Sequence, residues 1–338
     1  MNILNLSLGQ DTGGQQMRLA RAWKRYFPDD TYVSVTSTHT FYEIQNQMTK
    51  AQVANEWWPA ADVVHINNDI GALSRFPRNS LEPKPLVVHH HGTMYRTRPE
   101  YHLEQMRRYH AIGICSTVDL WAIAPEETHW MPQAYEPEEL SDYREAAEAR
   151  RPAGGDPIRI AHAPTNRIIK STKALSEAVA RLRWLGAKVE LDIIEKVDNK
   201  ECLRRKAEAD IFVDQLLLGY GCNAIEAWGM GIPVVAGVQR EKCRPLIRMD
   251  IPEDTQERMW EQWGMYPFAS ATEENLINIL GKMLDPAYRQ TWADIGMQHF
   301  MQHHHAHKVV HRLRALYTEA INRGPWTAPM GRGYVPDA

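Results

Sequence analysis

Short apolar runs alternate along the chain with longer stretches in which apolar residues recur at helical spacing. "NILNLSL" near the start is followed by a Gly turn and by "QQMRLARAWKRYF", and later apolar runs are "ADVVHIN", "KPLVVHH" and "HAIGICS". Continuous apolar runs of this length are typical of strands buried on both faces, and the periodic stretches are typical of amphipathic helices. The alternation predicts an α/β fold built on parallel sheets.

The same pattern starts again after a segment rich in Pro and Gly, "EARRPAGGDP" at residues 148–157. "IRIAHAP", "KVELDII", "ADIFVDQ" and "IPVVAG" read as strands, "TKALSEAVARLRWLG" reads as a helix, and the chain from Asp285 onward has a helical pattern. We therefore expect one domain over residues 1–150, a second over residues 151–306, and a C-terminal helix with a tail over residues 307–338.

Composition and charge narrow the classes of function. The chain has 338 residues, 43% of them hydrophobic, and a formal net charge of −3, which argues against nucleic acid as a partner. The first residues lack the basic segment and the long apolar run of a signal peptide, and no stretch reaches the length of a membrane span. The cysteines are scattered, without the spacing of a disulfide framework or a zinc motif: Cys115, Cys202, Cys222 and Cys243. We expect a cytoplasmic protein.

Two Gly-rich loops, "DTGG" and "LGYG", fall at predicted strand ends, where ligands bind in parallel sheets. Gly219 and Gly221 would let the backbone approach a ligand closely, and the helix that begins near Cys222 would offer free N–H groups to a phosphate or diphosphate. Glu226, one turn into that helix, would accept hydrogen bonds from a ribose diol. The alternative is a tight turn followed by a solvated glutamate.

The segment "ADIFVDQLLLGYGCNAIEAWGMGIPVVAG" closely resembles the donor-binding segment of family-4 glycosyltransferases of the GT-B fold, and "IAHAPTNRIIKSTKALSEAV" resembles the loop after the first strand of their second domain. Weaker similarities are "TGGQQ", "VVHHHG", "CSTVDL" and "WMPQAYEPEEL". The resemblance implies two Rossmann-like domains with a cleft between them, and a C-terminal helix that crosses back to the first domain. It also implies a nucleotide sugar as co-substrate, with no cofactor and no metal.

The resemblance further implies roles for individual residues. Glu226 fits the motif glutamate that binds the ribose, Arg167 and Lys170 would clamp the diphosphate and assist its departure, and His91 aligns with a histidine near the reacting sugar. Gly13 and Gly14 would approach the donor phosphate or the acceptor, although a simple turn would also explain them. The other expected donor contacts are Thr165 and Asn166, which would also cap a helix, and Gly221, Cys222 and Asn223.

One position departs from the family pattern. The glutamate that usually contacts the donor sugar should lie eight positions before Glu226, and that position is Leu218. Asp214 or Gln215 would then reach the sugar, or the backbone around Gly221 would do so. We interpret the change as a variant of the motif and not as the loss of the site.

Two further patterns have less specific explanations. His299, His303, His307 and His311 recur every four residues and predict a stripe on one helical face, but a straight stripe does not supply the converging ligands that zinc needs, so we expect no structural metal. "MRLARAWKRYF" combines basic and apolar residues. It would suit a helix packed on a sheet or, alternatively, a helix in peripheral contact with a membrane.

The predicted function is transfer of a sugar, with retention of configuration, from a nucleotide-diphospho-sugar to an acceptor held by the first domain. The acceptor class is left open among glycan, protein, lipid and small molecule. Two alternatives remain at this point: a nucleotide-sugar epimerase on the same fold, and a nucleotide-sugar or glycan-binding scaffold without turnover.

Overall fold

The computed structural model describes residues 1–10, 12–38, 49–76, 81–121, 123–124, 126–150, 156–238 and 267–326. These residues form two compact units. Unit 1 contains the described residues of Met1–Ala134 and of Ala306–Ala338, and unit 2 contains those of Tyr135–Leu246 and Glu257–His305. Residues 151–155 of the predicted linker and Cys243 lie outside the described residues.

Unit 1 is built on a six-stranded sheet in the order β2-β1-β3-β4-β5-β6, and each neighbouring pair of strands is parallel. The strands are β1 (Asn2–Gln10), β2 (Thr31–Thr38), β3 (Val63–Asn67), β4 (Leu86–His90), β5 (Ile112–Cys115) and β6 (Thr128–Trp130). The helices between them are α1 (Gln15–Tyr26), α2 (Lys50–Gln52), α3 (Trp58–Ala60), α4 (Gly92–Thr97), α5 (Pro99–Arg108) and α6 (Val118–Trp121). Short 3₁₀ turns occupy Thr12–Gly14 and Ile70–Arg75, and a π-helical turn occupies Val53–Trp57.

Unit 2 is built on β7 (Ile158–His162), β8 (Val189–Ile193), β9 (Ile211–Val213), β10 (Leu218–Gly219), β11 (Val234–Val238) and β12 (Ala269–Ser270). The order is β10-β11-β9-β7-β8, with β12 paired to β11; only the short β10 is antiparallel to its neighbour among the described pairs. The helices are α7 (Ser141–Ala149), α8 (Thr172–Trp184), α9 (Asn199–Ala207), α10 (Cys222–Gly229), α11 (Leu276–Lys282) and α12 (Pro286–His299). A 3₁₀ turn (Pro137–Leu140) precedes α7, and a π-helical turn (Phe300–His304) follows α12.

The last described helix, α13 (Ala306–Arg323), belongs to unit 1. Its buried residues Val309, Val310 and Leu313 lie in one hydrophobic cluster with Ile3 of β1 and Trp23 of α1. The predicted α/β fold with parallel sheets, and with a C-terminal helix that returns to the first domain, is therefore confirmed.

Alternate residues along the strands of unit 1 supply the two layers of its core. Ile3, Val63 and Val87 face the layer that contains α13. Leu4, Val64, Val88 and their neighbours face the other layer. Burial on both faces explains why the central strands are continuous apolar runs.

Candidate functional site

The carboxyl edge of the unit 2 sheet brings together residues from separate parts of the sequence. Lys170 lies in the loop that follows β7, Glu195 lies two residues after β8, and Asp214 directly follows β9. The amino end of α10 begins at Cys222, and its N-cap is Gly221. In open parallel sheets this edge is where ligands bind.

The loop after β7 is ordered by its own hydrogen bonds. The Asn166 side-chain oxygen accepts hydrogen bonds from the amides of Ile168 and Ile169 at 2.9 and 3.2 Å. The N-cap of α8 is Ser171, which has a left-handed backbone conformation with φ of 53°. The expectation that Thr165 and Asn166 cap the helix is therefore wrong in position, because Asn166 caps the turn before α8; both side chains are exposed.

The two predicted cations of this loop pair with different carboxylates. The Lys170 Nζ lies 2.5 Å from Asp214 Oδ1, and the Lys170 side chain is 13% exposed. Arg167 is mostly exposed and donates to both oxygens of Glu195, at 2.9 and 2.6 Å. These hydrogen bonds from Arg167 lower the pKa of Glu195.

Asp214 links the loop after β7 to the amino end of α10. Its second carboxylate oxygen, Oδ2, accepts a hydrogen bond of 2.6 Å from the amide of Gly221. Gly221 has φ of −126°, an extended conformation that any residue adopts. A Cβ atom added there would lie 3.6 Å from Asp214 Oδ2 and 3.8 Å from Lys170 Nζ. Gly221 thus leaves open the space beside the Lys170 ammonium.

Glu226 is buried, so the alternative of a solvated glutamate is wrong. Its carboxylate forms an ion pair with Lys206 of α9, and the two side chains are 2% and 0% exposed. The Tyr135 hydroxyl lies 3.4 Å from the other Glu226 oxygen. Burial is the largest single influence on Lys206 and lowers its pKa, but the Glu226 carboxylate together with the nearby Cys202 and Asp214 outweighs burial, so the pKa of Lys206 is raised overall. Lys206 is therefore charged at neutral pH.

Asn223 completes this buried group. Its side-chain oxygen accepts from Lys206 Nζ at 2.6 Å, and its amide nitrogen donates to the backbone oxygen of Ala163 at 3.0 Å. Asn223 therefore ties α10 both to α9 and to the start of the loop after β7. Cys222, the first residue of α10, is half-buried.

Leu218 occupies the position at which the resembling family has a sugar-binding glutamate. It lies in β10, is 8% exposed and pairs with Val238 of β11. The side chain is an ordinary buried leucine, so this position offers no hydrogen bond to a sugar.

In unit 1, Gly13 and Gly14 form the turn between β1 and α1. Their φ values of 63° and 70° lie in the left-handed region, which favours glycine. The turn alone therefore explains both glycines, and the predicted contact with a ligand stays a prediction.

His91 lies at the carboxyl edge of the unit 1 sheet and is held by neighbouring strands. Its Nε2 lies 3.0 Å from the side-chain oxygen of Asn67 at the end of β3, and its Nδ1 lies 3.1 Å from Ser116 Oγ after β5. The Asn67 amide nitrogen donates in turn to Asn5 of β1 at 2.6 Å. Because the Asn67 oxygen only accepts, His91 carries its proton on Nε2. Burial lowers the pKa of His91 to about 3, so the ring is neutral at physiological pH.

The predicted histidine stripe is wrong as a single helical face. His299 ends α12, His303 lies in the π-helical turn, and His307 and His311 lie in α13 of the other unit. Within the described ranges, no group of three or more His, Cys, Asp or Glu side chains is arranged to hold a metal ion.

The basic helix α1 packs as a core helix. Leu19, Ala22 and Trp23 are fully buried, and Arg21, Lys24 and Arg25 are exposed. Its apolar residues contact other core residues of unit 1. Within the part of the chain that the structure describes, no helix is both long enough and apolar enough to cross a membrane.

Sequence reasoning missed Lys206 and placed Asp214 differently. Lys206 shares the buried face of α9 with Leu203 and Ala207. A lysine on the apolar face of an amphipathic helix signals a buried partner of opposite charge. Asp214 was expected as an alternative sugar contact, and in the structure it binds Lys170 and the Gly221 amide.

The fold has many counterparts of known structure. A glycosyltransferase from Rickettsia africae superposes with a TM-score of 0.60 at 10% identity, covering 95% of this chain and 98% of the other. Sucrose-phosphate synthase from Thermosynechococcus elongatus superposes with a TM-score of 0.60 at 14% identity, covering 96% of this chain and 100% of the other. HepE from Anabaena, in complex with UDP-glucose, superposes with a TM-score of 0.57 at 13% identity, covering 94% of this chain and 100% of the other. The sequence matches no family model and no curated protein. Together with the two parallel sheets, these structures define the chain as a protein of the GT-B fold.

Proposed function

We propose that this protein is a glycosyltransferase that transfers a sugar from a nucleotide-diphospho-sugar to an acceptor. The observation that carries the proposal is the convergence of Lys170 and the Gly221 amide on one anionic group, with the buried Glu226 one turn further along the same helix. An ammonium and a helix amino end that bind the same anion form a suitable binding site for a diphosphate. The GT-B neighbours include HepE, whose structure contains UDP-glucose.

In this proposal the diphosphate binds against Lys170 and the amides at the start of α10, and Arg167 approaches from the exposed side. Glu226 accepts hydrogen bonds from the ribose, and Lys206 orients its carboxylate through the ion pair. The remaining proposed donor contacts are Thr165, Asn166, Cys222 and Asn223. The acceptor is assigned to unit 1, where Gly13, Gly14 and His91 follow strands of the sheet.

The chemistry follows from the charge that builds up on the departing diphosphate. Fixed cations and amides stabilise that charge, and one such donor contributes about 10²–10³ in rate. We propose that Arg167, Lys170 and the amides of α10 do this without a metal ion, and that transfer retains the anomeric configuration, as in family-4 glycosyltransferases. His91 is neutral, and both of its ring nitrogens have partners in unit 1, so we assign it a place near the reacting sugar and not the role of an acid.

The first experiment is a thermal-shift screen with UDP-, GDP-, ADP- and TDP-sugars, followed by transfer assays with the labelled sugar that binds. A bound ligand raises the melting temperature by an amount that grows with the logarithm of its concentration relative to its dissociation constant. Activity that persists in EDTA, and a product whose anomeric configuration by NMR equals that of the donor, are the expected results. Loss of activity in EDTA and its return with Mg²⁺ would refute metal independence.

The variant Lys170→Ala separates a catalyst from a binding scaffold. A catalyst should lose about 10²–10³ in kcat, beyond any loss in donor affinity, because Lys170 acts mainly on the leaving group. Melting curves of the variant control for folding. Donor binding without turnover by the wild-type protein would favour the scaffold, and an epimer formed without any acceptor would favour the epimerase.

A further inference from the structure

Asp214 occupies the place where the proposed diphosphate would bind. Its carboxylate is 2% exposed, with Oδ1 at 2.5 Å from Lys170 Nζ and Oδ2 at 2.6 Å from the Gly221 amide. Both bonds are charge-assisted and belong to the stronger class of protein hydrogen bonds. The carboxylate therefore satisfies the ammonium of Lys170 and the N-cap amide of α10 at the same time.

Two further basic side chains among the described residues of this site are also paired with carboxylates. Arg167 pairs with Glu195, and Lys206 pairs with Glu226. Together with the pair of Lys170 and Asp214, three cations face three carboxylates, and the formal charge of the six side chains is zero. A diphosphate that approaches this edge meets no net positive charge from these side chains. It meets Asp214 already bound to Lys170 and to the Gly221 amide.

The two donors respond differently to an incoming anion. The Lys170 ammonium has three N–H groups, so it can keep one bond to Asp214 and give another to a phosphate oxygen. The Gly221 amide has one hydrogen and must change partner. Asp214 can thus stay paired after an anion enters, which avoids the large cost of an unpaired buried charge.

We propose that Asp214 is an internal anion that holds Lys170 and the Gly221 amide while the site is empty, yields the amide and shares Lys170 when the diphosphate binds, and recovers both when the nucleoside diphosphate leaves. The inference rests on the proposed function, because it takes the incoming anion to be the diphosphate of a nucleotide sugar. Asp214 is then a positioning residue that weakens product binding and so promotes product release.

The test is the affinity of Asp214→Asn for inorganic pyrophosphate, UDP and uridine, measured by isothermal titration calorimetry. The asparagine oxygen still accepts from Gly221, but the negative charge is gone. Removing a carboxylate this close to the anion should tighten binding of pyrophosphate and UDP by about tenfold or more. Uridine carries no phosphate, so its affinity should be unchanged.

Glu208→Gln is the matched control. It removes one carboxylate from the same unit, at the opposite edge of the sheet, where Glu208 precedes β9 and pairs with Arg159 and Arg204. Its affinity for all three probes should equal that of the wild type. If Asp214→Asn does not fold by its melting curve, Asp214→Ser replaces it in the same titrations.

The outcomes separate the inference from the proposed function. Wild-type binding of UDP with equal or weaker binding by Asp214→Asn would overturn the inference and leave the proposed function intact. If Glu208→Gln tightens binding of pyrophosphate and UDP as much as Asp214→Asn does, the effect comes from the overall charge of the protein, and the inference about Asp214 is overturned. If neither the wild type nor the Asp214 variant binds UDP, GDP, ADP or their sugars, the proposed function fails and the inference fails with it.

Discussion

Lys206 and Glu226 form an ion pair that is removed from solvent almost completely. Two buried charges gain from each other only while both are present, since each alone would bear the full cost of leaving water. Asn223 and Tyr135 add hydrogen bonds to the pair. At the scale of single residues, this pair fixes α9 against α10 and orients the carboxylate that we assign to the ribose.

The variant Lys206→Met should destabilise unit 2 by about 3–5 kcal/mol, because it removes the Lys206 charge that pairs with the buried Glu226. Urea unfolding at pH 7 measures the change. The matched control is Lys173→Met, which removes an exposed lysine paired with Glu177 one turn away and should change stability by less than about 0.5 kcal/mol. A double variant, Lys206→Met with Glu226→Leu, should recover most of the loss. Equal effects of Lys206→Met and the control would contradict the role of the pair.

Gly221→Ala should separate ligand binding from folding. The backbone at Gly221 is extended and a Cβ there meets only ordinary contacts, so the melting temperature should stay close to that of the wild type. The added methyl group stands beside Lys170 Nζ and should weaken pyrophosphate binding by about tenfold. Titration calorimetry measures it.

Gly219→Ala is the companion variant. Gly219 has φ of 76°, so alanine there is strained and should lower stability by about 1 kcal/mol. A folded Gly221→Ala that binds pyrophosphate normally would show that the space at Gly221 has no part in anion binding, and an unstable Gly221→Ala would contradict the expected fit of a Cβ there.

The sequence predicts the residue types of the candidate site but not their partners. Lys170, Arg167 and Glu226 lie in short motifs, so their chemistry could be predicted from neighbouring positions. Their counter-charges lie far away along the chain, 44 residues away for Asp214, 28 for Glu195 and 20 for Lys206. Such pairings depend on how strands and helices are brought together, which no local pattern encodes.

At the scale of elements, β3, β4 and the residue that follows β4 contain four buried histidines. His65, His89, His90 and His91 are each at most 5% exposed, and His65 Nδ1 lies 2.6 Å from the hydroxyl of Tyr317 in α13. Burial is the main cause that lowers their pKa values, to about 3 for His65 and His91. The folded protein therefore keeps these rings neutral.

Stability should fall as the pH falls from about 6.5 toward about 3. In that window the unfolded chain binds protons at these histidines and the folded chain does not, so acid favours unfolding by up to about 1.4 kcal/mol per pH unit for each group. Urea unfolding at pH 7, 6 and 5 measures the slope. His89→Phe removes one of the groups that bind a proton on unfolding, so it should reduce the dependence of the unfolding free energy on pH by the contribution of that group. The control is His129→Gln, at an exposed position of β6, which should leave this dependence unchanged. A stability that does not change with pH would contradict this account.

The strands that the apolar pattern predicted and those it missed differ in their place in the sheet. β1, β3, β4 and β5 lie inside the unit 1 sheet and were predicted from continuous apolar runs. β2 and β6 are its two edges and were missed. β2 reads "TYVSVTST", in which polar residues alternate with apolar ones. An edge strand has a neighbour on one side only and buries less surface, so its sequence carries a weaker signal.

In unit 2 the missed strands, β10 and β12, have two residues each, which is too short for any periodicity. The histidine stripe failed for a different reason. A regular spacing of four predicts a face only while the helix continues, and the chain leaves the α-helical geometry at Phe300–His304 before α13 begins.

At the scale of the whole chain, unit 1 is discontinuous in sequence, and its last piece contributes to both core layers. Val309, Val310, Leu313 and Tyr317 of α13 are fully buried in the layer that contains Trp23. Trp326 is 2% exposed in the opposite layer, with its ring centroid 6.2 Å from that of Trp58 and 5.6 Å from that of Tyr109. The core of unit 1 is therefore complete only when α13 and Trp326 pack against the strands.

A chain truncated after His305 should lose unit 1 and keep unit 2. Truncation exposes the apolar surface that α13 and Trp326 cover, at about 1.5–3 kcal/mol for each large side chain. The total over these side chains is comparable to the whole stability of an ordinary domain. Hydrogen exchange measured by mass spectrometry should show protection lost in β1, β3 and β4 but retained in β7, β9 and α10. Adding a peptide of residues 306–338 should restore protection in unit 1. Retained protection of β1 in the truncated chain would mean that Met1–Ala134 folds without the C-terminal helix.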